Sequence, residues 1–202
     1  MNGSALAFLP SGENLSDAIY RSGAYGYNHA GVYNGGVWVG NDYYYTAYEM
    51  PGGDASVELN LMDQFIDSET YYGSYAHPDV DTTTEQNNIL ATCSDLENDD
   101  AIAYTWADMI IPESGVSGYI FPSQIANLRC DGLVEYAYEW RNFWVWGRAN
   151  PCNTYGTPQN HDVSDVDYYS EHNNLGLDGW GEVSPKVQRG GSGTQWTTLR
   201  SR

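Results

Sequence analysis

The sequence predicts an α+β fold in which an antiparallel sheet packs against a helix that carries Cys130. Period-two alternation in the first third of the chain, helical spacing in the middle, and a cysteine in the first turn of one helix support that expectation. In 126–144, ANLRCDGLVEYAYEWRNFW, Leu133, Val134 and Ala137 follow Cys130 at i+3, i+4 and i+7, which is one face of a helix. At a helix start, unpaired backbone N–H groups and the positive end of the dipole favour a thiolate, the form of cysteine that attacks carbonyls. The other reading of such a residue is a small buried hydrophobe.

Taken in order, 5–9 is a short apolar run, read as a first strand that Pro10, Ser11 and Gly12 end. Residues 14–17 (NLSD) offer caps before Ala18, Ile19 and Tyr20, so a helix is expected to run to Gly23. Residues 28–34 (NHAGVYN) and 37–39 read as two antiparallel strands joined by a hairpin at Gly35 and Gly36. The aromatic and β-branched content of 43–49 marks a third strand, and 55–61 is a fourth, where Val57, Leu59 and Leu61 alternate with Ser56, Glu58 and Asn60. Such a meander has one buried and one wet face, so neighbouring strands present His29 and Glu49 to one site.

Residues 61–66 suit a short helix and 67–81 an aperiodic loop; 82–96 and 101–111 have helical spacing with Thr and Asp caps, the second ending at 112–118. Beyond Trp146, 147–181 reads as an irregular acidic subregion of a single catalytic domain spanning 1–181, and 182–202 as a tail or linker.

A chain of 202 residues suits one such domain. With 27 acidic and 8 basic residues, net −19, nucleic acid and anionic membranes are excluded as partners, because phosphate affinity needs clustered cations. No apolar run is long enough to span a membrane. Low charge density with abundant Tyr, Trp, Asn, Gly and Thr points to a secreted or extracellular protein whose signal peptide has been removed. Three cysteines leave one over after pairing, and joining Cys93 to Cys152 would leave Cys130 free. Asp162, Asp165, Asp167 and Glu171, with His161 and His172, lack the glycine and terminal glutamate of an EF-hand and read as a solvated loop. No zinc spacing occurs either, so no metal or cofactor is expected.

A cysteine hydrolase needs a thiolate, a base within hydrogen-bond reach, and a polar group that fixes the base's tautomer. Cys130, His29 and Glu49 supply those types, and Ala30 and Gly31 leave room beside the imidazole. The succession LSDAI, NHAGVYNGG, YEMPGG, VELNL and RCDGLVEYAY resembles the circularly permuted papain-like cysteine hydrolases of the NlpC-type superfamily. In that group the histidine-bearing sheet precedes the cysteine-bearing helix. Its H-x-G-[IV]-Y strand matches His29, Gly31, Val32 and Tyr33; its C-[SD]-x-[LF]-V helix matches Cys130, Asp131, Leu133 and Val134. The resemblance covers residues 5–144 and implies a papain-like fold in permuted order. It further implies Cys130 as nucleophile, His29 as base and Glu49 as third member, with Tyr33 and Asp131 at the substrate.

The activity so implied is a metal-independent peptidase or amidase acting on short peptides of the cell-wall type. The related retinol acyltransferase-like branch has a second histidine where Glu49 stands, and none lies between His29 and His77 here. Two rival readings are a lipid acyl hydrolase or acyltransferase, with an apolar groove from Trp140, Trp144 and Trp146, and a non-catalytic glycan- or peptide-binding module built on the tyrosine clusters.

Overall fold

A computed structural model of the protein describes residues 12–23, 28–145, 161, 163, 184–190 and 199–202. Along the chain run β1 (Ala18–Ser22), β2 (Asn28–Val39), β3 (Asp42–Glu49), β4 (Glu58–Leu61), α1 (Met62–Ile66), β5 (Tyr71–Ala76) and α2 (Thr83–Glu97). There follow β6 (Ala103–Tyr104), β7 (Ile110–Pro112), β8 (Ile125–Leu128), α3 (Cys130–Glu139), a short helix at Pro185–Gln188 and β9 (Arg200–Ser201). The α+β class is as expected. One sheet has the order β4-β3-β2-β1-β5-β9 with antiparallel neighbours, and a smaller one the order β6-β8-β7.

The expected helix at Ala18–Tyr20 is strand β1. It lies between β2 and β5 and is covered on both faces, so Ala18, Ile19 and Tyr20 are all buried. A continuous apolar run of that length has no period of its own, and pairing on both edges decides the outcome. Asp17 accepts the Asn14 N–H at 2.8 Å within a turn and caps no helix. The Gly35–Gly36 hairpin is also replaced. Strand β2 continues through both glycines, Asn34 bulges out of register, and the turn comes at Gly40, whose φ is 65°. Gly36 serves close packing, because a Cβ there would collide with the Tyr43 ring.

Two further expectations change. Residues 71–76, placed in a loop by the sequence, form β5 against β1. Residues 101–111, expected to be helical, supply β6 and β7, which flank β8. At the intervening turn the Ala107 N–H bonds Thr105 Oγ1 at 3.1 Å. The helix at 82–96 does form as α2, with a reciprocal cap: Glu85 N–H to Thr82 Oγ1 (3.2 Å) and Thr82 N–H to Glu85 Oε2 (2.9 Å).

The main core lies between the large sheet and α2 and α3, where Tyr20, Val32, Ile89, Leu96, Leu133 and Val134 meet. A smaller cluster of Ile19, Tyr33, Ala47, Met62 and Phe65 fills the opposite face under α1. Cys93 is a free, fully buried thiol in the main core, so it forms no bridge to Cys152, which lies outside the described residues. The acidic cluster expected as a solvated loop is outside them too, except His161, which stacks on Tyr136 with centroids 4.4 Å apart.

Every residue of α3 is buried, including Glu135 and Glu139. Gln188 Nε2 donates to Glu135 Oε2 and to the Asp131 carbonyl, both at 2.9 Å, and the Val145 N–H donates to Glu139 Oε1 at 3.1 Å. Burial and then the adjacent Glu139 push the Glu135 carboxyl well above its ordinary range. The stretch expected to be a tail is therefore partly built into the domain. Gln188 roofs α3, β9 pairs with β5, and Arg202 grips Asp17 through Nε (2.5 Å) and Nη2 (2.7 Å).

Gly132 in the first turn of α3 lies against the Met109 backbone, and a Cβ there would overlap the carbonyl oxygen. Gly132→Ala is expected to destabilise the domain by about 1–3 kcal/mol, read as a lower urea midpoint at unchanged m-value.

Candidate active site

Strand β8 passes through Arg129 into α3, and the Arg129 N–H bonds the Met109 carbonyl at 2.9 Å. No side chain caps the helix. Asp131 Oδ1 takes the Gly132 N–H at 3.1 Å, and Asp131 binds the Arg129 guanidinium bidentately at 2.6 and 2.7 Å. The first-turn N–H of Cys130 has no hydrogen-bond acceptor among the described residues, as first-turn donors do when uncapped.

His29 is the second residue of β2, so the start of α3 reaches it past the strand end. In the β2–β3 register Gly31 faces Glu49, which puts Glu49 diagonal to His29 on the same face. Glu49 Oε2 meets His29 Nε2 at 2.7 Å. A side chain at residue 31 would strike the Tyr48 carbonyl (2.7 Å) and the Phe65 ring (2.9 Å). That ring also packs beside the imidazole, centroids 5.4 Å apart. The second oxygen, Glu49 Oε1, accepts from Asn60 Nδ2 at 2.9 Å, and the same amide reaches Glu58 Oε2 at 3.0 Å.

The Cys130 sulfur lies close enough to the imidazole to perturb its titration, and both line the same cleft. With Nε2 held by Glu49, Nδ1 is the nitrogen left for the sulfur. Cys130, His29 and Glu49 are 4%, 8% and 3% exposed, so the chain of contacts runs through a nearly dry environment that strengthens each one. Burial by itself would lower the His29 pKa. The neighbouring Cys130, together with the charge and hydrogen bond of Glu49, outweighs it and raises the value to about 9. Burial likewise works against the Glu49 carboxylate, but its bonds from His29 and Asn60 bring the net shift below the ordinary value.

Cys130 and His29 open into a cleft of about 460 Å³ with Asn28 and Pro51. Tyr104 and Trp106, from β6 and the turn after it, contribute aromatic lining; Arg21 of β1 and Asp67 and Glu69 from the α1–β5 connection contribute charge. Burial, and then the neighbouring Cys130 and Asp131, push the Tyr104 phenol up, so it stays a neutral donor.

The three residues read as catalytic thus come together. The two read as substrate-binding do not line the cleft. Tyr33 points into the small core beneath α1, and Asp131 is fully buried, holding Arg129. Arg21, Asn60, Tyr104 and Trp106 were not singled out from the sequence. Asn60 had a usable signal, since alternation in VELNL sets it on the polar face of the strand after Glu49.

No known family model, curated protein or solved structure matches the chain.

The raised His29 pKa sets a pH dependence. An unfolded histidine titrates near about 6.5. The folded value is higher, so the His29 proton adds stability that is fully present below about 6.5 and is lost as pH rises through about 9. NMR titration of the ring is expected to show that midpoint, and Glu49→Gln to lower it by about one pH unit or more.

Proposed function

We propose that the protein is a cysteine hydrolase that cleaves amide bonds of short peptides, those of cell walls included, through a thioester acyl-enzyme. The observation that carries this reading is the nearly buried His29–Glu49 bond, with His29 and Cys130 lining one cleft. The resemblance to permuted papain-like hydrolases of the NlpC type agrees with it, because catalytic geometry does not depend on chain order.

In this mechanism Cys130 Sγ attacks the amide carbonyl carbon, and the Cys130 N–H and the Tyr104 hydroxyl receive the developing oxyanion. The proton on His29 passes to the departing amine as the C–N bond breaks, leaving the acyl group on sulfur. Neutral His29 then takes a proton from water, the hydroxide adds to the thioester, and collapse expels the thiolate and frees the acid. Glu49 fixes the ring orientation and stabilises the imidazolium, and Asn60 fixes Glu49. Each step uses groups of the chain itself.

The charged lining favours amides over lipid acyl chains, because a long alkyl chain would strip water from Arg21, Asp67 and Glu69 with nothing in return. Cys130→Ala is expected to abolish turnover of a peptide-amide library while the Tm stays within a few degrees of wild type; unchanged turnover would refute the mechanism. Asn60→Leu is expected to lower kcat by about 10- to 100-fold with little change in KM, measured under the same conditions.

A further inference from the structure

Only 8 lysines and arginines occur in this acidic chain, and several of the described arginines have clear partners. Arg129 holds Asp131, Arg202 holds Asp17, and Arg141 Nε donates to Thr92. Arg21 differs. It lies on β1 directly opposite His29 of β2 and lines the cleft beside the catalytic pair. Its Nη1 donates to the Ser22 carbonyl at 2.9 Å, and its guanidinium lies 5.7 Å from the centre of the Phe65 ring. Its Nε is buried with no hydrogen-bond partner, and it forms no ion pair among the described residues.

The two acids that share the cleft leave that guanidinium unclaimed. Glu69 Oε2 accepts the Ser22 hydroxyl at 2.5 Å, and Asp67 is the left-handed residue that ends α1. A guanidinium fixed by an aromatic face and one carbonyl, with donors left over, presents the planar fork that matches a carboxylate. Removing its charge from bulk water without a partner is unfavourable, and a carboxylate ligand offsets that cost. Arg21 faces His29 across the β1–β2 pair and lines the same cleft as Cys130, so a short substrate held at the sulfur passes beside the guanidinium.

We propose that Arg21 is a specificity-determining residue that binds a carboxylate of the substrate near the scissile amide. The substrate class is then an acyl-amide or short peptide with a free carboxylate near the bond that is cut. This rests on the hydrolase reading above. A competing role is electrostatic, because the Arg21 charge also helps hold Glu49 ionised. That role would act on every substrate alike, whereas carboxylate binding discriminates between substrates.

The test compares N-iodoacetylglycine with N-iodoacetylglycinamide, which differ in charge but share the same electrophile, on the full chain. Cys130 Sγ displaces iodide from either, and intact mass with peptide mapping gives the rate at that residue. The acid is expected to label wild type about tenfold faster than the amide, against the repulsion of a net −19 chain. Arg21→Gln should remove the preference and Arg21→Lys should keep part of it, with Tm measured for both. A wild type without preference, or a preference that survives in Arg21→Gln, overturns the proposal. So does an equal slowing of both reagents in Arg21→Gln, which would make Arg21 a positioning residue for Glu49. A Cys130 inert to both reagents at every pH would instead bring down the hydrolase reading, and this inference with it.

Discussion

The 2.7 Å bond between His29 Nε2 and Glu49 Oε2 exists only in one register of β2 against β3. A slip of one residue would send Glu49 through to the main-core face, where a charge has no partner. Two features hold the register. Between the two residues Gly31 leaves a gap that Phe65 fills from α1, and further along the bulge at Asn34 absorbs the mismatch before the hairpin tip. The bond therefore depends on packing beneath α1 and on a strand irregularity several residues away, and the site and the small core form one construction.

The other half of the site rests on α3, which is buried along its length. A buried helix cannot drift, so its first residue is held against the imidazole without an N-terminal side-chain cap. Leaving that end uncapped costs some helix stability and keeps a backbone donor beside the sulfur. The Asp131–Arg129 pair offsets part of the cost by placing a carboxylate in the first turn, where the dipole favours it.

Sequence patterns were informative where one element specifies itself. The 3.6 period after Cys130, the Thr82 to Glu85 cap and the alternation around Glu49 are local signals, and α3, α2 and β3 stand where those signals put them. They were uninformative where a distant partner decides. Strand β1 is an apolar run between two strands, β5 needs β1 beside it, and β6 and β7 are too short to have a period and exist because β8 lies between them. The same limit explains the site. Cys130, His29 and Glu49 carry their chemistry in their identity, whereas Tyr33 and Asp131 sit inside matching motifs but face cores, and Arg21 was hidden in a segment read as helix. Cys93 is inside the core for the ordinary reason that a thiol behaves there as a small hydrophobe.

The upward shift of Glu135 beneath Gln188 has a thermodynamic meaning separate from any chemistry in the cleft. That carboxyl holds its proton more tightly in the folded chain than in the unfolded one, so between the two values folding draws protons from solution. Between the ordinary carboxylate range and the raised value of Glu135, acidification tightens the native state at the middle of α3. Glu49 works the other way, since its lowered value makes strong acid loosen the site end of the same assembly. The two ends of one core thus respond to acid with opposite sign: a proton favours the folded chain at Glu135 and opposes it at Glu49.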